Sequence, residues 1–315
     1  MKLTIVVPSF NQGKYLGRTL DSIFQQSLPP FQVVVADGAS TDESVEVLKE
    51  YSKRYPQLEW LSEPDKGPAD AVNKGLARVK GDWVGIFSSD DLYYPGAFET
   101  VKRTAQANPG SEFLYGDITV FDGQDQYLGE SKLPEFSWEA FFGLAACIPQ
   151  GSVFFSARLA REVGGWNPSY YGCDLDYWLR MVFRTRALKV PALLSGWRVY
   201  PEQRTRPDRY QKIWNDYWRM IEESPDIQAA PAKVQRLARA SGHVLALSYH
   251  PTGKLWAVRG HALAAFAGHP TWWRYQERGR WLRLFPGYET ARTLYRKAFP
   301  RPPQTPSNIT SQAGS

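Results

Sequence analysis

From residue 3 to residue 88 the sequence alternates between strand-like and helix-like hydrophobic periods. No other feature restricts the fold as much, because this is the pattern of parallel βαβ units. Residues 3–8 form a continuous apolar run closed by Pro8, as expected of a strand covered on both faces of its sheet. Helical spacing follows over 16–26, and β-branched residues return over 32–37. The cycle repeats with a helix over 41–55 that opens on Thr41-Asp-Glu-Ser, a short strand over 58–62, a helix over 68–79 and a strand over 83–88. In an open α/β sheet, ligands bind beyond the carboxyl ends of the strands, so the four loops there should converge. They read Ser9-Phe-Asn-Gln12, Asp37-Gly-Ala-Ser40, Glu63-Pro-Asp-Lys-Gly67 and Ser88-Ser-Asp-Asp91, and three of them carry carboxylates.

A mixed α+β stretch follows: a strand over 113–121, a Gly- and Asp-rich hairpin or loop, a helix near 138–144, and a strand over 150–156. Helices are expected over 157–163 and 175–184, and an extended segment over 187–199. Beyond about residue 206 the texture changes to amphipathic helices broken near Ser224-Pro225, 251–253 and His269-Pro270. The expected organisation is one α/β domain over 1–205, in two halves (1–92 and 93–205). A helical region over 206–299 and a disordered tail over 300–315 complete it.

Charge follows this division. Residues 201–315 hold 18 Lys and Arg against 8 Asp and Glu, whereas 1–200 hold 20 against 24. A basic, Trp- and Arg-rich end on a mildly acidic body suggests an anionic partner or a membrane face, and Trp272-Trp-Arg-Tyr-Gln-Glu-Arg-Gly-Arg-Trp-Leu-Arg283 suits the headgroup layer. Packing of those tryptophans against the catalytic domain is the simpler expectation. No stretch has the length of a membrane span, and Cys147 and Cys173 sit in no metal-ligand spacing, so a cytoplasmic protein is expected, with peripheral contact at the inner membrane face as the alternative.

All four histidines lie at or beyond His243, so acid–base chemistry in the motif-bearing region falls to carboxylates. That disfavours serine and cysteine hydrolases, which need a histidine partner. Pro8-Ser-Phe-Asn-Gln-Gly13 stands where a dinucleotide enzyme carries G-x-G-x-x-G and where a sugar-phosphate nucleotidyltransferase carries an Arg-containing glycine loop. No nucleic-acid module is recognisable.

The most informative pair is Asp90-Asp91. Two adjacent carboxylates at the end of a buried strand call for a positive charge between them, and Mg²⁺ or Mn²⁺ commonly bridges such groups to phosphates. The alternative is a cap on a helix starting at Leu92. Asp37, before the turn-forming Gly38, can accept from a base or ribose, whereas Asp42 reads as a helix cap. Asp70 and Asn73 share a helix face and could both reach a donor, or tie the helix to the preceding loop; Lys66 could reach a phosphate.

The strings Ile5-Val-Val-Pro-Ser-Phe-Asn11, Val35-Ala-Asp-Gly-Ala-Ser-Thr-Asp42, Ser62-Glu-Pro-Asp-Lys-Gly67 with Asp70-Ala-Val-Asn-Lys-Gly75, and Phe87-Ser-Ser-Asp-Asp-Leu92 together resemble the family-2 glycosyltransferases. The resemblance continues through Gln150-Gly-Ser-Val-Phe-Phe-Ser156, Gly164-Gly-Trp-Asn167 and Gly172-Cys-Asp-Leu-Asp-Tyr-Trp-Leu-Arg180, covering about residues 3–200. It implies a mixed, mostly parallel GT-A sheet flanked by helices, a divalent Mn²⁺ or Mg²⁺, and inversion at the anomeric carbon. It implies that Pro8, Phe10 and Asn11 line the nucleotide pocket, Asp37 binds the base and Asp65 lies near the nucleotide. By the same resemblance Asp90 faces the ribose, Asp91 holds the metal, Gln150 contacts acceptor or donor sugar, and Asp174 is the base.

Many members carry Glu immediately before that base, where Cys173 stands here. One base suffices for a single displacement, and Asp174 or Asp176 could supply it or contact donor or acceptor; Asp176 falls in the first turn of a helix, where backbone N–H groups stabilise a carboxylate without any catalytic task, which favours Asp174. The expected activity is transfer of a sugar from a nucleotide-diphosphate donor, a UDP-sugar first, to a glycan or lipid-linked acceptor in surface-polysaccharide synthesis. The competing expectation is a catalytically inactive carbohydrate-binding or scaffolding relative.

Overall fold

A computed structural model describes residues 1–144, 147–205, 209–249 and 255–272. Within them β1 (Leu3–Ser9), α1 (Gly13–Phe24), β2 (Gln32–Asp37), α2 (Ser44–Arg54), β3 (Leu58–Ser62), α3 (Pro68–Leu76) and β4 (Trp83–Ile86) realise the expected alternation. They are followed by β5 (Leu92–Tyr93), α4 (Ala97–Ala107), the β6 (Phe113–Asp122) and β7 (Tyr127–Ser131) hairpin, α5 (Trp138–Gly143), β8 (Val153–Ser156), α6 (Ala157–Val163), α7 (Cys173–Val182) and β9 (Ala187–Val199). The helices α8 (Tyr210–Glu223), α9 (Pro225–Ala229), α10 (Ala232–Tyr249) and α11 (Leu255–Gly268) complete the described chain.

One sheet runs in the order β3-β2-β1-β4-β8-β6-β9-β5, with β7 on β6. Pairing is parallel from β3 to β4, turns antiparallel at β8, and is parallel again between β6 and β9. Register sets Ser9 beside Asp37 and Asp37 beside Ser62, so three of the polar loops leave the sheet at one level.

Alternate β1 residues feed two cores. Leu3, Ile5 and Val7 pack with Leu16, Leu20, Leu48 and Val101, while Val6 packs with Val72 and Ile86 on the other face. Each fully buried side chain of this kind is worth about 1.5–3 kcal/mol, so a one-residue slip that inverted both faces is strongly disfavoured. Gly75 brings α3 down onto β1, since a Cβ there would stand 2.3 Å from Val6 Cγ1.

Three local outcomes differ from the sequence expectations. Helix α1 begins at Gly13 because the next loop caps it: Gly13 N–H donates to Asp42 Oδ2 (2.9 Å) and Gln12 N–H to Ser44 Oγ (3.0 Å). Asp42 therefore caps α1, and its Oδ1 also accepts from Ser44 N–H at 3.0 Å. Residues 150–152 form a 3-10 turn before β8 rather than a strand. Leu92-Tyr93 is not a helix start but a two-residue strand on β9, and α4 begins only after left-handed Gly96 (φ 78°), so Asp90 and Asp91 cap no helix.

The C-terminal helices do not stand apart. Ile213, Tyr217, Met220, Val234, Leu237 and Leu245 share one core cluster with Phe142, Leu175 and Trp178. Trp214 Nε1–H donates to the Gly242 carbonyl at 2.9 Å, Trp218 lies against Gly242, and Trp272 is buried, so these three tryptophans pack inward. The rest of the Trp- and Arg-rich stretch after Trp272, and the tail over 300–315, lie outside the described residues. No helix among the described residues is long and apolar enough to cross a membrane.

Candidate active site

The strand-end loops are fastened to one another before they present anything outward. Asn11 takes a left-handed backbone (φ 51°), tolerable for Asn, and from there its N–H donates to Ser40 Oγ (2.7 Å) while its Oδ1 accepts from Thr41 N–H (2.9 Å). Asp37 is buried; its Oδ2 accepts from Ser40 N–H (2.9 Å) and Ser62 Oγ (2.6 Å), and its Oδ1 from Ser40 Oγ. Thus Asn11 and Asp37 organise the loops. Pro8 is half-buried at the end of β1, and the ring of Phe10 stands 57% exposed above the loops. Gly38 keeps a gap beside that ring, for a Cβ there would meet Asp65 Oδ2 at 2.6 Å and Phe10 at 3.2 Å. Asp65 Oδ1 in turn accepts from Gly67 N–H at 2.7 Å.

The Asp90-Asp91 loop is held from both sides. Buried Thr19 on α1 donates to the carbonyls of Ser89 and Asp91, each at 2.9 Å. From β9, Arg198 N–H donates to Asp91 Oδ1 (2.8 Å) and Arg198 Nε–H to the Asp90 carbonyl (2.7 Å). Just beyond β9, the Tyr200 hydroxyl donates to Asp90 Oδ2 (2.7 Å) and accepts from Gln12 Nε2–H (3.0 Å).

Arg198 is the residue that sequence reasoning missed. Its side chain is 1% exposed, boxed by the rings of Tyr15 (4.5 Å) and Phe121 (4.4 Å), and paired through Nη1 with Asp125 Oδ1 at 2.6 Å. Its Nη2 has no hydrogen-bond partner. An Arg near the end of a mostly apolar strand was the available signal, because a buried Arg needs acidic partners. Nothing local marked Tyr200, whose partners come from loops far away in sequence.

Burial raises the Asp90 carboxyl above its usual range, only partly offset by the Tyr200 hydroxyl. Asp91 lies well above its usual range through burial and then the charge of Asp90, against the opposing pull of Arg198. Arg198 thus supplies part of the positive charge the pair demands, yet Asp125 shares it, and the pair can still accept more. Among the described residues no group of three or more His, Cys, Asp or Glu forms a cage. That donor set fits a hard divalent ion taking one or two carboxylates and completing its shell with phosphate oxygens and water.

Asp174 occupies the first turn of α7. Burial raises its carboxyl, while the Arg204 charge and the Leu175 N–H pull the other way. Cys173 points inward: its thiol donates to the Tyr170 carbonyl (2.7 Å), and burial pushes it up to about 11. Asp176 is engaged in the scaffold, accepting on Oδ2 from Arg180 Nε (3.0 Å) and Nη2 (2.8 Å), while Arg180 also donates to the carbonyls of Val163 and Gly165.

Asn73 is engaged likewise. Its Nδ2 donates to the Trp166 carbonyl (2.9 Å) and its Oδ1 accepts from Trp166 N–H (2.7 Å), so its amide faces the 164–166 loop. Asp70 accepts from Lys66 N–H (3.1 Å) and lies 3.6 Å from Lys74 Nζ, leaving the Lys66 side chain exposed above the loop. Gln150 opens the 3-10 turn, whose Gly151 fits closely against Phe87 and Ser195, where a Cβ would stand 3.0 and 3.1 Å from their side chains.

Comparison with known proteins agrees with this geometry. Residues 4–153 match the Glycosyl transferase family 2 model. Chondroitin synthase of Escherichia coli is 30% identical over 181 residues, which are 57% of this chain and 26% of that protein, so the chain spans about a quarter of this relative's length. S. aureus TarS 1–349, solved with UDP-GlcNAc, superposes with a TM-score of 0.65 at 16% identity, covering 93% of this chain and 88% of that one. The mannosyltransferase PcManGT from Pyrobaculum calidifontis, solved with GDP-Man and Mn²⁺, gives 0.63 at 20% identity, covering 93% and 84%. Residues 4–153 are thus similar to the family-2 glycosyltransferases, and the fold is the GT-A fold of these solved structures.

Proposed function

We propose that the chain is an inverting glycosyltransferase that moves a sugar from a nucleotide-diphosphate donor, a UDP-sugar first, to an acceptor hydroxyl on a glycan or lipid-linked saccharide. The observation that carries this reading is the Asp90-Asp91 pair, Asp91 buried and Asp90 partly so, short of positive charge and following β4 beside the end of β1. Solved GT-A neighbours with UDP-GlcNAc and with GDP-Man and Mn²⁺ support the donor class.

Phe10, exposed beside Gly38 and Asp65, offers the base a stacking face. Pro8 and Asn11 shape that wall, and Asp37 fixes the turn from which the base is held. Asp90 faces the ribose and Asp91 ligates Mn²⁺ or Mg²⁺, with Lys66 within reach of phosphate. When bound, the ion neutralises charge on the departing diphosphate. Asp174 takes the proton from the acceptor hydroxyl; the oxygen bonds to the anomeric carbon from the face opposite the leaving group, and the electron pair of the broken C–O bond departs with the nucleoside diphosphate. Its raised carboxyl suits a base working nearer neutrality. Gln150 contacts the acceptor or donor sugar. The engagement of Asp70, Asn73 and Asp176 elsewhere favours scaffold roles for them.

A cytoplasmic site of action at the inner membrane face goes with this reading. It is supported by Leu263 and Phe266, 73% and 50% exposed on α11, which precedes the basic C-terminal stretch in the sequence. The test is release of UDP or GDP from a panel of nucleotide sugars with Mn²⁺, Mg²⁺ or chelator. Cation-dependent release from at least one donor is expected. No release from any donor would leave the inactive carbohydrate-binding reading in its place.

A further inference from the structure

Near the end of β9 the side chain of Trp197 is 40% exposed, and among the described residues no hydrogen bond or ring contact engages its indole. A lone exposed apolar side chain is ordinary on a protein surface; what distinguishes this one is its place. The N–H that donates to Asp91 Oδ1 at 2.8 Å belongs to the peptide joining Trp197 to Arg198, so the Trp197 backbone lies against the proposed cation ligand. Val190 and Leu194 pack in the core shared with α1 and α4, and Arg198 lies over the Tyr15 ring of α1. Strand alternation therefore turns Ser195 and Trp197 to the opposite face of the sheet. On that face packs α7, whose Leu175, Tyr177 and Trp178 share a core with Tyr115 of β6 and Phe155 of β8. The Gln150–Ser152 turn closes on the same face, with Ser195 Oγ 3.1 Å from where a Cβ on Gly151 would stand. Trp197 thus borders the Asp91 loop through its backbone and presents its ring on the side of the sheet that carries Asp174 and Gln150.

The face of an indole is apolar and carries the negative side of the ring quadrupole. A pyranose ring presents on one side a patch of C–H groups of the opposite polarity, and it stacks there while its hydroxyls turn to polar neighbours such as the Gln150 amide. Phosphate groups and open polyol chains have no such patch. We infer that Trp197 is the platform for the acceptor's reacting sugar ring, which makes the acceptor a saccharide at the hydroxyl that reacts. The inference rests on the transferase reading above and on Asp174 being the base. The donor's own sugar has the same chemistry, but the hydroxyl that gives up its proton has to meet Asp174, and α7 packs on the face to which Trp197 points. A stacked ring is held by its face rather than by each hydroxyl, so the site should accept simple pyranosides and not one sugar alone.

The test follows UDP or GDP release by the full-length chain from the donor it accepts, as methyl pyranosides of glucose, galactose, mannose and N-acetylglucosamine are added. Glycerol and ribitol serve as open-chain probes. At least one pyranoside should accelerate release by wild type, and the open chains should not. Trp197→Ala should raise KM for that pyranoside about tenfold, as for one lost stacking contact, with donor KM within about twofold. Trp197→Gln, which keeps bulk without a ring, should do the same, whereas Trp197→Phe should recover most of the loss. Acceleration by no pyranoside, or equally by glycerol or ribitol, overturns the inference. So does a pyranoside KM that the ringless variants leave unchanged, and so does a donor KM that rises in step with it, which assigns the platform to the donor sugar. Failure of wild type to release nucleotide from any donor is a distinct result that removes the transferase reading itself, and this inference with it.

Discussion

The Tyr200 hydroxyl bridges Asp90 Oδ2 and Gln12 Nε2, so a residue after the ninth strand joins the loops of the first and fourth. Tyr200→Phe removes both bonds and little apolar contact. One net hydrogen bond to a charged group is worth about 1.5–3 kcal/mol, and the Asp90 side chain keeps solvent access. Nucleotide affinity measured with Mn²⁺ should fall roughly tenfold while the melting temperature moves by only a few degrees. An unchanged affinity would remove Tyr200 from the site.

Arg198→Met leaves Asp125 and the Asp90 carbonyl without their buried partner. Asp125 keeps its pairing with Arg18, so the loss is that of buried charged hydrogen bonds, about 1.5–3 kcal/mol; urea denaturation should show a loss of that order, and Arg198→Lys should recover only part of it. A loss below about 1 kcal/mol would mean that the guanidinium is not the keystone of this loop.

Asp91→Asn should separate stability from function. A carboxyl whose folded-state pKa lies above its unfolded value stabilises the fold fully only below the unfolded value, and that contribution is lost as pH rises through the folded value. At neutral pH, then, wild type bears the cost of a buried charge that Asn lacks. The ligand-free variant should melt higher than wild type near pH 7, converge with it as pH falls towards about 4, and lose cation-dependent nucleotide binding. A variant that melts lower at neutral pH and regains nothing in acid contradicts this.

For Asp174 the sign concerns rate. Its carboxyl is raised chiefly by burial and must be ionised to accept the proton, so kcat/KM should climb with pH along an acid limb centred above the ordinary Asp value of about 3.9. Asp174→Asn should retain donor binding and lower turnover by at least about 10²–10⁴-fold. Turnover near wild type in that variant would give the proton to another group.

Asn73→Ala tests a scaffold role. Both bonds to Trp166 disappear, at a cost of about 1–3 kcal/mol in stability, while the donor KM should stay within roughly twofold. A large KM effect with normal stability would return Asn73 to the donor site.

Much of the first half was legible because hydrophobic period is local. The strand over 32–37 was expected with the ends it has, and the loops carrying Asp37, Asp65, Asp90 and Asp91 follow from it. What escaped was long-range. The start of α1 depends on Asp42 and Ser44, the fate of Leu92 on its pairing with Gly196, and the anchoring of Asp91 on Arg198, which is 107 residues away. Resemblance supplied Asp174, but only packing exposed its company, with Cys173 bonded inward and Asp176 tied up by Arg180.

Arg198 and Tyr200 grip the Asp90-Asp91 loop, and Arg204 acts on Asp174, all within one short run of chain at the end of β9. Anyone building chimaeras to exchange acceptor preference between relatives faces a constraint from this. A crossover placed at the end of β9 would pair one parent's aspartates with the other parent's clamps. Recombination should therefore keep β4, α7 and the run from 198 to 205 from a single parent.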